Sequence, residues 1–235
     1  MIARARSVVP AVALLIAAGL PLRAQSPYPP ARAGDSQPTI AQLEYGGGGD
    51  WYANPSSLPN LIRAIRERTG IPVADQPVHV NAGDPLLWNY PYLYVTGHGN
   101  IRFSEEEVRG LRRYLTSGGF LHVDDNYGLD RSFRREIGRI FPEAELVELP
   151  ADHPVYHAFY ELGEGLPKIH EHDGEPARGY GIFHEGRLVV FYSYQSDLGD
   201  GWEDVEVHEN PPEAREAALR MGVNLFLYAL GQVAP

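Results

Sequence analysis

Gly118-Gly119-Phe120-Leu121-His122-Val123-Asp124-Asp125-Asn126 is the stretch whose reading decides the fold. A short apolar run between paired glycines and polar residues reads as a buried strand that delivers acids at its carboxyl end. The same pattern occurs upstream, where Tyr92-Leu93-Tyr94-Val95 runs into Thr96-Gly97-His98-Gly99-Asn100. Continuous apolar strands belong to parallel sheets covered on both faces. In open α/β sheets, ligands bind at the carboxyl edge. The two stretches therefore predict a site at that edge, with His98, Asp124 and Asp125 as catalytic candidates.

Working outward, Ser104 and Glu107 make a capping box. The helix they open carries Val108, Leu111 and Leu115 on one face and stops at Gly118-Gly119. Upstream, Thr39 to Tyr45 reads as a first strand. Ser56 or Ser57 then caps a helix with Leu58, Leu61, Ile62 and Ile65 on one side, and Val78 to Val80 makes a short peripheral strand. Downstream, Asp130 is expected to cap a helix over Arg131 to Phe141, followed by a strand over Glu145 to Leu149. Successive strand–helix units predict a mostly parallel sheet with helices on both faces. The fold class is thus α/β, a three-layer α/β/α sandwich of flavodoxin- or Rossmann-like character. Asp152 to Gly179 is rich in His, Pro and Gly and lacks periodicity. Tyr180 to Phe183 and Arg187 to Tyr194 then read as a β-hairpin, Asp197 to Glu209 as a polar loop, and Pro212 to Leu230 as the last helix.

At the amino end, Arg4 and Arg6 precede an apolar stretch from Val8 to Leu20, and residues 1–24 read as a secretory signal peptide. Residues 25–38 are proline-rich and read as a disordered leader, leaving 39–231 as a single α/β domain. The expected location is exported, periplasmic or secreted. The apolar run is too short to span a bilayer, which needs about 20 residues, so no stable membrane anchor remains after cleavage.

The chain carries a net charge of −11. Removing Arg4, Arg6 and Arg23 leaves 17 of its 20 basic residues against 31 acids, or −14. Such a chain repels nucleic acid and anionic lipid; a small molecule or carbohydrate is the expected ligand class. With no cysteine, disulfides, thiolate nucleophiles and thiolate metal ligands are excluded.

Gly46 to Gly49 follow the first strand where a phosphate loop would sit, but they lack the G-x-G-x-x-G spacing, and Asp50 would repel a pyrophosphate. A tight turn or a backbone cradle for another ligand remains. Gly47, Gly48, Asp50, Trp51 and Asn126 are the ligand-binding candidates. His170 and His172 lie two apart, a spacing that points both the same way in an extended segment. With Asp124 they form a candidate site for a divalent metal, although H-E-x-x-H is absent and histidines on a surface loop are the plain alternative. Asp197-Leu198-Gly199-Asp200-Gly201-Trp202 resembles an oxygen-rich calcium loop only loosely. No G-x-S-x-G elbow exists.

Together, Gln42 to Tyr52, Thr96-Gly97-His98-Gly99, Gly118 to Gly128, Leu166 to His170 and Asp197 to Trp202 resemble a bacterial family, the domain of unknown function DUF4159, over about Thr39 to Leu230. The resemblance implies a fold like that of class I glutamine amidotransferases and no established activity. Amidotransferases of that fold use a cysteine nucleophile, and this chain has none.

The functional expectation is a metal-assisted hydrolase. Asp124 or Asp125 would act as base or metal ligand, His98 as acid or orienting group, and His170 and His172 as ligands. The alternative is a non-catalytic domain that binds a carbohydrate or protein in the same cleft.

Overall fold

The computed structural model describes residues 28–32 and 37–231. Its elements run β1 (Ile40–Glu44), α1 (Ser57–Thr69), β2 (Val78–Asn81), β3 (Tyr92–Val95), α2 (Glu105–Thr116), β4 (Phe120–Asp124), α3 (Asp130–Ile140), β5 (Val147–Glu148), β6 (Arg178–His184), β7 (Arg187–Tyr194), α4 (Leu198–Trp202), α5 (Val205–His208) and α6 (Pro212–Gly231). The strands form one seven-stranded sheet in the order β2-β1-β3-β4-β7-β6-β5. The first five are mutually parallel. β6 and β5 complete the sheet antiparallel. β6 turns into β7 through Glu185 and Gly186, both at positive φ (51° and 79°), the conformation a two-residue turn needs to match strand twist.

Every residue of β3 and β4 is buried, as both-face coverage requires. Leu93, Val95, Leu121 and Val123 pack on one face with Val108 and Leu111 of α2 and Phe133 and Ile137 of α3. Tyr92, Tyr94 and Phe120 face the other way, onto Leu58 and Leu61 of α1, Trp202 of α4 and Met221 of α6. Each such side chain contributes roughly 1.5–3 kcal/mol by leaving water. The helices exist because of these stripes, and α2 begins at the expected box: Ser104 Oγ accepts from Glu107 N, and Glu107 accepts from Ser104 N.

Several local expectations are corrected. Neither Ser56 nor Ser57 caps α1 through its side chain. Glu203 does so from across the chain, accepting from Ser56 N (2.7 Å) and Ser57 N (3.1 Å). Asp130 is the first residue of α3, not its cap; Asp125 accepts from Leu129 N instead. The 197–209 stretch is not all loop but holds α4 and α5. Within the expected disordered leader, residues 28–32 are ordered. Tyr28 is buried, and Pro29 and Ala31 exchange hydrogen bonds with His79 of β2. The signal-peptide expectation for 1–24 falls outside the described residues. Among the described residues, no helix is long and apolar enough to cross a membrane.

Candidate functional site

Because β1, β3, β4 and β7 are parallel, their carboxyl ends share one rim. Beyond β7 the chain turns sharply: Gln195 and Asp197 both adopt left-handed backbone (φ 57° and 61°). The turn starts α4, and a spacing of three puts Asp197 and Asp200 on one side of it. The 167–174 segment lies against this turn, with Ile169 N donating to Ser196 O at 3.0 Å. That contact sets His170 and His172 in front of the two aspartates.

The resulting cluster is tight. His172 Nε2 lies 3.1 Å from Asp197 Oδ2, and His170 Nδ1 lies 3.0 Å from Asp200 Oδ2 and 3.8 Å from Asp197 Oδ2. His208, at the end of α5, closes the other side, its Nε2 3.2 Å from Asp200 Oδ1. Two sets of three, His170–His172–Asp197 and His170–Asp200–His208, each bring their ligand atoms within 4.8 Å of one another. Burial is graded: the Asp197 side chain is 1% exposed and that of His170 45%. The acids form the floor and the imidazoles the opening. Asp197 Oδ1 is buried with no hydrogen-bond partner, a costly state for a polar atom. Burial, and then the neighbouring Asp200, push the Asp197 carboxyl well above its usual range. Burial also lowers His172, as do its neighbours His170 and Lys168.

The tandem acids lie elsewhere. Adjacent strand residues point to opposite faces, and Asp124 and Asp125 do so. Asp124 is fully buried beneath α4. It accepts from Ser193 Oγ (2.5 Å), Gly199 N (2.7 Å), Leu198 N (3.2 Å) and Tyr94 OH (3.2 Å). Burial raises its carboxyl to about 6 despite these donors. Asp124 is therefore not a member of the histidine cluster, and Asp197 and Asp200 supply the carboxylates there. Asp125 accepts from Leu129 N, Tyr127 N and Tyr192 OH at 3.1–3.3 Å, a structural role at the start of α3. Ser193 and His122 lie 2.9 Å apart, but both are wholly buried and offer no nucleophile to a substrate.

His98 stands with Asp50. The two pair through His98 Nδ1 and Asp50 Oδ2 at 3.0 Å, and the His98 N–H also donates to Asp50. The His98 ring is 56% exposed, so this dyad faces solvent at the rim. Gly47 is needed by the chain itself: a Cβ there would meet Asn100 O at 2.5 Å. Gly48 has positive φ and open space around it. Trp51 is buried against Tyr52 and His79. Asn126 is buried and joins Asn54 and Thr96. Asn54 in turn donates to Asp200 Oδ1 at 2.9 Å.

Sequence reasoning placed His170 and His172 but missed Asp197, Asp200, His208 and Asn54 as their neighbours. The available signal was the acid-rich 197–204 run. A cleft of about 710 Å³ opens between 161–168 and 174–177, with Lys168 and Glu171 in its lining. None of the clustered imidazoles lines it.

A family model described as a domain of unknown function (DUF4159) matches residues 39–230. No curated protein matches the chain.

Proposed function

We propose that this chain, which belongs to the DUF4159 family, carries a divalent-metal centre at the sheet rim and uses it for hydrolysis. The observation that carries this reading is the convergence of His170, His172 and Asp197, with Asp197 Oδ1 buried and unpartnered. Two imidazoles and one carboxylate suit a borderline ion such as Zn²⁺, Mn²⁺ or Ni²⁺ and leave coordination positions open. An ion held by His170, His172 and Asp197 would supply an acidified water. Asp200, 3.2 Å from His208 and held by Asn54, would be the proton acceptor beside it. The His98–Asp50 dyad is the second acid–base group of the rim.

Helices on both faces of the sheet support the three-layer, amidotransferase-like reading of the fold. Without a cysteine, hydrolysis by thiolate is closed, and an activated water is the nucleophile that the metal-centre reading supplies. Export, read from residues 1–24, is part of the same proposal.

A second reading, a carbohydrate- or protein-binding domain, has one observation in its favour. Tyr127 is 46% exposed and stacks on His172 at 4.8 Å, a platform of the kind that holds sugars.

The test is metal analysis of the purified protein after exposure to Zn²⁺, Mn²⁺ and Ni²⁺. The expected result is one tightly bound equivalent, lost in His170→Ala and in Asp197→Asn, the latter chosen because Asn tolerates the left-handed backbone. A metal-free wild type would sink the reading. Bound metal without turnover on ester, amide and glycoside panels would favour the binding domain.

A further inference from the structure

A line of polar side chains crosses the α1/α4/α6 face of the sheet, where apolar groups would pack as well. Tyr92 OH lies 2.8 Å from His122 Nδ1, His122 Nε2 lies 2.9 Å from Ser193 Oγ, and Ser193 Oγ lies 2.5 Å from Asp124 Oδ1. All four residues are essentially inaccessible to solvent. Asp124 and Ser193 are register partners on neighbouring parallel strands.

The chemistry gives the line a direction. An ionised Asp124 only accepts, so Ser193 gives its one proton to Asp124. Ser193 then accepts from His122 Nε2–H, and the free Nδ1 accepts from Tyr92 OH. Every donor points toward Asp124. The order is wrong for a serine nucleophile, whose proton would have to pass to the histidine.

Asp124 hands this on to the rim. It takes the N–H groups of Leu198 and Gly199, the two residues directly after Asp197. Gly199 admits this approach because it has no side chain: a Cβ would meet Asn54 Nδ2 and Tyr94 OH at 2.8 Å and Asp124 Oδ2 at 3.2 Å. Trp202 locks the far end of α4, its Nε1 donating to Ala218 O at 2.8 Å.

We propose that Asp124 is a positioning residue for the metal centre: the Tyr92–His122–Ser193 line orients it, and it fixes the start of α4 so that Asp197 and Asp200 face the imidazoles. This rests on the metal-centre reading above. Groups that orient metal ligands from behind change metal affinity by about 10–100-fold when removed.

The test titrates Co²⁺ into the full chain and follows its visible absorption. Ser193→Ala removes the shortest donor to Asp124; Tyr114→Phe removes a buried hydrogen bond on the opposite face, to Tyr90 O, and serves as control. The expected result for Ser193→Ala is about tenfold weaker Co²⁺ binding with an altered band shape, and for Tyr114→Phe neither change. Should Ser193→Ala not fold, Tyr94→Phe, which takes a second donor from Asp124, is expected to weaken binding in the same direction. Wild-type affinity and spectrum in the Asp124-side variant, or equal losses in Tyr114→Phe, would overturn the positioning role alone. A wild type that binds no Co²⁺ would overturn the metal centre itself and this role with it.

Discussion

Asn54 donates to Asp200 across 146 positions of the chain, Nδ2 to Oδ1 at 2.9 Å. The glycine-rich turn after β1 is thereby tied to the floor of the histidine cluster, and Asn54 holds left-handed backbone (φ 58°) to reach it. Asn54→Ala should weaken metal binding about tenfold, read by competition with a chromophoric chelator. Unchanged affinity would show that Asp200 needs no support from this side.

Asp125 has a separate job. Asp125→Ala takes the acceptor from Leu129 N and Tyr127 N and leaves Tyr192 OH to Asp130 alone, and should cost about 1–3 kcal/mol in urea unfolding while leaving metal stoichiometry intact. Loss of metal in this variant would place Asp125 in the site after all.

Stability should also depend on His122. Burial pushes its imidazole down to about 3 from 6.5. The unfolded chain protonates this ring first, so its contribution is complete above about 6.5 and is lost as pH falls toward 3. The full loss across that window is roughly 5 kcal/mol. Asp124, raised to about 6, contributes in the opposite sense within the same window, so the His122 contribution is read as the difference in pH slope between the metal-free wild type and His122→Gln.

Tyr127 holds φ 102°, which a tyrosine adopts only under strain of order 1–3 kcal/mol. Replacing it removes the stack on His172 and the hydrogen bond to Asp173 in either variant. Tyr127→Gly should therefore be more stable than Tyr127→Ala by about 1 kcal/mol. The reverse order in thermal melts would mean that this backbone relaxes in solution.

Metal removal should cost stability. An ion bound only by the folded state adds about 2.7 kcal/mol at a hundred times its Kd. Chelation should lower Tm correspondingly in the wild type and leave Tm unchanged in His170→Ala.

Much of this fold is encoded in local sequence. Gly118-Gly119 and the apolar run Phe120 to Val123 specify a buried strand locally, and Ser104 with Glu107 starts α2 through contacts three residues apart. Strands separated by helices then oblige a parallel sheet, so the ends of β3 and β4 had to share a rim. That Asp124 and Asp125 face apart was also readable, since side chains alternate along a strand. His170 and His172 were likewise readable as a pair that faces one way.

Which acids meet those histidines was not readable. Asp197, Asp200 and His208 are 25 to 38 positions away, beyond any helical or strand period. Their meeting depends on two left-handed residues after β7, on the backbone bond from Ile169 to Ser196, and on a floor made by Asp124 under α4. Local spacing encodes the elements because their hydrogen bonds close within a few residues. The cluster is set by packing between elements distant in the chain, and only the tertiary structure chooses those partners.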